Sequence, residues 1–206
     1  MRGKAAVPEI GSLSEELPAM SILDAKQSSS VFGKPSFSLS HRIHRAVWNV
    51  TWLFLASWTP PPLHAWRRFL LRLFGAKIAP SARIYGSTKI WYPPNLTMGA
   101  YSVIGWGALV YSQGKIELED FAVVSQRSHL CTGSHDIDDP NFQLITAPIL
   151  IRRHAWVASD AFVGPGVTVE EGAVLGGRGV TFKSLAAWTV YGGNPAREIR
   201  KRRPFA

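Results

Sequence analysis

One histidine lies in a short polar stretch whose residue types suit proton transfer, Thr132-Gly133-Ser134-His135-Asp136. An imidazole titrates near neutral pH, so it is the side chain best matched to removing a proton from an alcohol. Asp136 could orient or stabilise the resulting imidazolium, although adjacent side chains often point apart and a backbone carbonyl could do the same. From spacing alone, His135 is either a general base or a plain loop histidine.

The other five histidines lie where structural or solvent-exposed roles are expected. Two belong to a first predicted helix, one opens a second helix, and two occupy repeat or turn positions. In that order they are His41 and His44, then His64, then His129 and His154.

The sole cysteine, Cys131, excludes an internal disulfide framework and suits a reducing compartment. Its place in the repeat described below predicts a small buried side chain rather than a reactive thiol.

The first 35 residues lack the basic start, apolar run and cleavage site of a secretory signal. We therefore expect a cytoplasmic protein.

The polar stretch interrupts a repeat of six residues that runs on both sides of it. A period of six fits neither a helix nor a lone strand, but it fits short parallel strands joined by tight turns. Three such strands close one coil of about eighteen residues, and stacked coils bury an aliphatic column. A β-sandwich or a leucine-rich solenoid fits the spacing less well. The repeated aliphatic residues are Met98, Ile104, Val110, Ile116, Leu118, Val124, Leu130, Ile151, Val157, Val163, Val169 and Leu175.

Two helices are predicted ahead of the repeat. Ser40 can cap a helix over residues 41–58, which the prolines at 60–62 end, and a second helix over 63–74 ends at Gly75. The expected organisation is an extension without assigned fold at 1–35, a helical hairpin at 36–76 and a β-helix at 77–206. The β-helix carries an active-site loop at about 131–148 and a basic C-terminal tail.

Charge is distributed unevenly along a chain whose formal net charge is +9, because no Asp or Glu occurs between Asp24 and Glu117. The apolar segment at 46–58 is shorter than the roughly 20 residues that span a bilayer. The hairpin therefore either packs on the β-helix or a second subunit, or lies on an anionic membrane surface through its five arginines. Nucleic acid is a poor partner, because no recognition module is visible. The arginines are Arg42, Arg45, Arg67, Arg68 and Arg72.

Three motifs carry a resemblance to a known family over roughly residues 36–203: the hexads with the Ser-His-Asp loop, Phe162-Val163-Gly164-Pro165-Gly166-Val167, and Gly192-Gly193-Asn194-Pro195-Ala196. Together they resemble the hexapeptide-repeat acyltransferases, which implies an all-β fold, a left-handed parallel β-helix. With Leu71-Arg72-Leu73-Phe74-Gly75-Ala76, the chain is similar to the colanic acid biosynthesis acetyltransferases, which modify sugars of exopolysaccharides.

The resemblance implies acetyl-CoA as acyl donor, a saccharide acceptor, no metal, and a homotrimer whose active sites lie between subunits. It makes His135 the general base and places the backbone N–H donor for the thioester oxygen at Ser159. Gly177 matches the small-residue site of the pantetheine arm. Lys183 matches a family lysine whose neighbours differ here, and Arg197 matches the basic residue near the coenzyme phosphates.

One departure concerns the acceptor. Some sugar acetyltransferases of this superfamily bind it with an asparagine in an earlier coil, and Val110-Tyr111-Ser112 has none. A small-molecule acceptor such as serine is therefore an alternative. A zinc hydratase of the γ-carbonic anhydrase kind would need a closely spaced histidine pair that is missing, and a non-catalytic scaffold is the third alternative.

Overall fold

Strands of two to five residues alternate with turns along most of residues 36–205, which the computed structural model describes. The predicted extension at 1–35 lies outside the described residues. Most of the parallel strands contain an inward aliphatic residue from the six-residue repeat, and the next turn redirects the chain. The strands are β1 Lys77–Ile78, β2 Arg83–Ile84, β3 Lys89–Ile90, β4 Leu96–Met98, β5 Val103–Ile104, β6 Leu109–Tyr111, β7 Ile116–Leu118, β8 Val123–Val124, β9 His129–Cys131, β10 Gly133–His135, β11 Leu144–Thr146, β12 Ile149–Ile151, β13 Trp156–Val157, β14 Phe162–Val163, β15 Thr168–Val169, β16 Val174–Leu175, β17 Val180–Thr181, β18 Thr189–Gly192 and β19 Arg197–Lys201.

Three parallel sheets form the faces of a solenoid of about six turns. Successive coils contribute one strand to each face, so that Ile84 pairs with Ile104 on one face and Leu118 with Ile151 on another. This arrangement confirms the predicted triangular parallel β-helix. Face A contains β1, β4, β7, β12 and β15; face B contains β2, β5, β8, β13, β16 and β18, with β19 antiparallel at its end; face C contains β3, β6, β9, β14 and β17.

The core is the predicted aliphatic column. Every repeated aliphatic residue of the sequence analysis is at most 2% exposed. Ile78, Ile84 and Ile90 continue the spacing of six into an earlier coil and are also buried. The column therefore starts directly after the helical hairpin, and each coil buries apolar area that it could not bury alone.

Two helices precede the first coil, α1 at Leu39–Leu55 and α2 at His64–Leu73. The prediction that Ser40 caps α1 was wrong. The hydroxyl that accepts from the His41 N–H, at 3.2 Å, belongs to Ser38. Helix α1 also ends three residues earlier than predicted. A short 3-10 helix, Pro93–Asn95, lies between β3 and β4.

Helix α1 packs on the first coil through two buried tryptophans. The Trp48 indole N–H donates to the Ile90 carbonyl oxygen at 2.7 Å, and the Trp52 indole lies within hydrogen-bonding distance of the Gly86 and Thr88 carbonyl oxygens. Gly86 is required here, because a Cβ atom on it would lie 2.5 Å from the Ala56 carbonyl oxygen. The described helices include none that is long and apolar enough to cross a membrane.

The arginines of α2 turn back onto the first coil. Arg67 is 0% exposed, and its Nε donates to the Ile84 carbonyl oxygen at 2.6 Å. Arg68 donates to the Ala82 carbonyl oxygen, and Arg72 to that of Ile78. A charge count along the sequence does not reveal these contacts, because it says nothing of where a guanidinium group points.

Candidate active site

The predicted loop contains an antiparallel β-hairpin that projects from the solenoid. Strand β10 pairs with β11 so that Gly133 lies opposite Thr146 and His135 opposite Leu144. The hairpin follows β9 on face C and leads into β12 on face A. Its ladder fixes the backbone of His135 while leaving the side chain exposed.

The imidazole of His135 is held by the far side of this hairpin. Its Nδ1 lies 2.8 Å from the Phe142 carbonyl oxygen, and the two rings stack with centroids 4.3 Å apart. A carbonyl oxygen only accepts, so the bond requires the proton on Nδ1 and leaves the lone pair on Nε2. The side chain therefore has the tautomer and exposure that a general base requires.

Asp136 takes part in loop structure. Its carboxylate accepts from the Asp138 N–H at 3.1 Å, and its own N–H donates to the Gln143 carbonyl oxygen at 2.9 Å. Of the two alternatives for orienting His135, Asp136 or a backbone carbonyl, the contact on Nδ1 comes from the Phe142 carbonyl. Phe142 was not singled out from the sequence, and the only signal for it is the Asp-Pro-Asn turn that returns the chain toward His135.

The base of the loop is anchored in the coil below. The buried Thr132 hydroxyl donates to the Tyr111 carbonyl oxygen and accepts from the Gly114 N–H, both at 2.8 Å. Gly133 lets the Gln113 side chain pass beneath the hairpin, because a Cβ on Gly133 would lie 1.7 Å from Gln113 Oε1. These contacts connect the position of His135 to the packed solenoid.

His135 is the one exposed histidine among the six, since the others are buried or half-buried. His64 Nδ1 lies 2.9 Å from the Ile84 carbonyl oxygen, and burial lowers the pKa of this imidazole. His129 lies half-buried on face C, and burial lowers its pKa as well. His154 stacks on Phe121, as expected for a turn residue.

Cys131 is half-buried, and its Sγ lies 3.3 Å from the Gly133 carbonyl oxygen. Burial raises the pKa of the thiol above its ordinary value. The side chain is therefore protonated at neutral pH, in agreement with a structural role.

Ser159 and Gly177 occupy the same corner of the solenoid in successive coils. A Cβ on Gly177 would lie 3.5 Å from the Ser159 carbonyl oxygen, and the open space beyond it is solvent. The Ser159 N–H has no main-chain acceptor among the described residues. The pair combines an available backbone donor with a surface that lacks a side chain.

Lys183 and Arg197 border one cavity of about 230 Å³ near the last coil. Both side chains are exposed there. The basic tail around them is partly committed to other contacts, because Arg202 donates to the His154 and Gly172 carbonyl oxygens. Lys201 likewise lies 3.0 Å from Glu198.

Within one chain, these residues form separate groups. The His135 hairpin leaves face C after the end of β9, whereas Ser159 and Gly177 precede the starts of β14 and β17. Strands of this face run parallel, so the hairpin and the Ser159 corner lie at opposite edges of it. Residues 36–205 contain no group of three or more His, Cys, Asp or Glu side chains able to hold a metal ion.

Solved structures share this architecture. A hexapeptide-repeat acetyltransferase of Vibrio cholerae complexed with acetyl coenzyme A has a TM-score of 0.71 at 20% identity, over 81% of this chain and 91% of that one. A galactoside acetyltransferase in complex with coenzyme A has a TM-score of 0.73 at 18% identity, over 81% of this chain and 84% of that one. The predicted left-handed β-helix with an N-terminal helical hairpin is thereby confirmed.

Sequence comparison is more specific than fold comparison. No protein-family model matches the chain. The colanic acid biosynthesis acetyltransferase WcaF of Escherichia coli (strain K12) is 44% identical over 177 residues, which cover 85% of this chain and 97% of that protein. The match covers most of both proteins, and the chain therefore belongs to the family of colanic acid biosynthesis acetyltransferases.

Proposed function

We propose that this acetyltransferase moves an acetyl group from acetyl-CoA to a hydroxyl group of a saccharide used for exopolysaccharide or a related surface polysaccharide. His135 is the general base. The observation that carries the proposal is the exposed imidazole whose Nδ1 is held by the Phe142 carbonyl, because this contact directs the lone pair on Nε2 away from the hairpin.

The reaction needs one proton carrier and no acyl-enzyme. Nε2 of His135 accepts the hydroxyl proton while the hydroxyl oxygen bonds to the thioester carbonyl carbon. The tetrahedral intermediate then collapses, the C–S bond breaks, and the imidazolium returns the proton to the departing thiolate. Sugar ester and coenzyme A thiol are the products, so protons and electrons balance.

The carbonyl oxygen gains negative charge in the intermediate and needs a fixed donor. The Ser159 N–H suits this role, because it lies in a turn of a rigid solenoid and has no main-chain acceptor within residues 36–205. Gly177, one coil further, leaves room for the pantetheine arm of acetyl-CoA. Lys183 and Arg197 supply positive charge for the coenzyme phosphates.

We further propose a homotrimer in which each site is shared by two subunits. Support comes from the separation of His135 and Ser159 across face C, because one chain cannot place both beside the same thioester without moving its hairpin. A neighbouring copy brings its Ser159 corner against the hairpin. Asp136 contributes negative charge near the imidazolium and stiffens the loop through its contact with Asp138.

We place the enzyme in the cytoplasm, on the inner face of the cytoplasmic membrane, where a lipid-linked saccharide would meet acetyl-CoA. The lone cysteine fits a reducing compartment. Electrostatic attraction through five hairpin arginines is a weak basis for membrane contact, because Arg67, Arg68 and Arg72 bind carbonyl oxygens of this chain.

Turnover of acetyl-CoA against free, nucleotide-linked and lipid-linked saccharides tests the acceptor class, with serine as the small-molecule comparison. We expect transfer to one saccharide class, and a loss of turnover of about 10²- to 10⁴-fold in His135→Ala with acetyl-CoA affinity nearly unchanged. Transfer to serine but to no saccharide would contradict the acceptor. Unchanged turnover in His135→Ala would remove the base from the mechanism.

A further inference from the structure

The outer surface of the helical hairpin is apolar and uncovered in this chain. Helix α1 exposes apolar side chains along its whole length, the loop after it exposes more, and α2 continues the surface. We call this surface the hairpin face. Its members are between 39% and 71% exposed: Leu39, Ile43, Val47, Val50, Phe54, Leu55, Trp58, Leu63, Trp66, Phe69 and Leu73. An exposed apolar patch of this kind usually marks an interaction surface.

The exposed tryptophans of the hairpin face have no unpaired donor. The Trp58 indole N–H donates to the Phe54 carbonyl oxygen at 2.6 Å, and that of Trp66 to the Leu55 carbonyl oxygen at 2.7 Å. An indole that binds its own chain can leave water without losing a hydrogen bond, whereas an unpaired N–H would cost free energy in an apolar phase.

Several backbone groups of the loop between the helices are likewise paired within the chain or have no donor to pair. Pro60, Pro61 and Pro62 have no N–H, so three consecutive residues offer no donor that needs water. The carbonyl oxygens of Pro60 and Pro61 accept from the buried guanidinium of Arg67, and that of Pro60 also accepts from the Leu63 N–H. Arg67 thus pairs two carbonyl oxygens of the loop from inside the protein.

The charged side chains of the two helices and the first coil are all positive. The cations of α2 point toward the first coil, as described above, and no acidic residue occurs between residues 25 and 116. Exposed Arg42, Lys77 and Arg83 lie on α1 and the first coil, beside the hairpin face. The two helices and the first coil therefore combine an apolar surface with positive charges and no negative charge.

We infer that the hairpin face docks on a phospholipid membrane by inserting Trp58, Leu63 and the proline loop among the acyl chains near the headgroups. Lipid is the occupant that requires backbone groups to be satisfied internally, because acyl chains offer no hydrogen-bond partner. A protein partner could instead pair such groups with donors and acceptors of its own. The nearby cations fit anionic headgroups, and tryptophan favours the boundary between headgroup and acyl chain.

This mode of docking differs from electrostatic adsorption in its dependence on salt. Screening weakens attraction between charges, but it does not weaken the burial of apolar side chains. We therefore expect the full chain to bind vesicles of anionic phospholipid and to keep most of that binding at high salt. Tryptophan fluorescence should be quenched by phosphatidylcholine brominated near the headgroup end of its acyl chains.

The test compares two variants with a matched control by cosedimentation with these vesicles. Trp58→Asp combined with Leu63→Asp should lower the partition coefficient about tenfold or more, because two exposed anchors are replaced by charges. Phe69→Asp, on α2, tests the same surface without altering the loop. Tyr101→Asp is the control, because Tyr101 is 58% exposed on a turn of the solenoid and its φ of 57° is one that aspartate tolerates.

Vesicle binding is measured without acetyl transfer, so its outcome is independent of the acceptor. Loss of binding in both hairpin variants but not in Tyr101→Asp supports the inference. Absence of quenching with the intact chain would overturn it, and so would unchanged partition in the two variants. A lower oligomeric state of Phe69→Asp in ultracentrifugation, with vesicle binding intact, would instead assign the surface to a second copy.

Discussion

At the scale of residues, the proposed chemistry depends on a contact between the His135 side chain and a backbone carbonyl seven positions further along the chain. His135 can accept a proton at Nε2 only because the Phe142 carbonyl holds the proton on Nδ1. Asp136, adjacent in sequence, has its carboxylate on the Asp138 N–H. The residue next to the proposed base in sequence is therefore not the one that orients it.

This arrangement predicts a small effect of Asp136→Asn. Asparagine keeps the oxygen that accepts from the Asp138 N–H and removes only the charge near the imidazolium. We expect turnover to fall less than about 10-fold, well short of the loss in His135→Ala. Steady-state kinetics of both variants at saturating acetyl-CoA decide the matter, and an equal loss in the two would restore Asp136 as the orienting residue.

The sequence predicts His135 as a candidate, because a Gly-Ser-His-Asp motif interrupts a regular repeat. It does not predict the role of Phe142, which follows from the pairing of β10 with β11 and hence from the length of the turn between them. A backbone carbonyl has no sequence signature. That contact required the structure.

At the scale of elements, the helical hairpin formed by α1 and α2 is attached to the solenoid by side chains that the sequence would place at the surface. Helical periodicity places the apolar residues of α2 on one side and its arginines on another, which predicts an apolar face turned inward. In the structure Trp66, Phe69 and Leu73 are exposed instead. Arg67 is turned inward, because its guanidinium group donates to carbonyl oxygens of the proline loop and of the first coil. The start of α1 was also displaced, because Ser38 and Ser40 are both suitable caps.

Arg67→Met should lower the free energy of unfolding by about 3 kcal/mol, because it leaves several buried carbonyl oxygens without a donor. Methionine retains most of the apolar stem, so the loss measures the missing hydrogen bonds. Arg68→Met is the matched control. Its guanidinium donates to the single carbonyl of Ala82, and about 1 kcal/mol is expected. Denaturant titration measures both, and equal losses would show that Arg67 does not connect the two elements.

At the scale of the whole molecule, the repeat determined most of the fold in advance. A period of six specifies which residue of each strand points inward, and every residue identified in that way is buried. The sequence does not predict how copies of the chain contact one another, because the outward residues, such as those of face C, follow no period that it reveals. His135 and Ser159 are far apart along the chain. Only the topology of the solenoid shows that they lie at opposite edges of face C.

Gly177→Trp should raise the Michaelis constant for acetyl-CoA with little effect on stability. The position is exposed, its φ is not positive, and the added ring would occupy the space beside Ser159 that we assign to the pantetheine arm. Binding of acetyl-CoA by calorimetry and thermal unfolding of the variant separate the two effects. Retained affinity would show that the arm runs elsewhere.

The most direct test of a site shared between subunits is complementation of two defective chains. His135→Ala and Gly177→Trp carry different affinity tags, are coexpressed, and are purified by both tags in sequence. Acetyl transfer is measured at an acetyl-CoA concentration at which each variant alone is nearly inactive. In a closed trimer that contains both chains, about one site in three joins an intact His135 to an intact Gly177, so about a third of wild-type turnover should return. Mixed trimers as inactive as either parent would contradict a site built from His135 of one subunit and the Ser159 corner of the next.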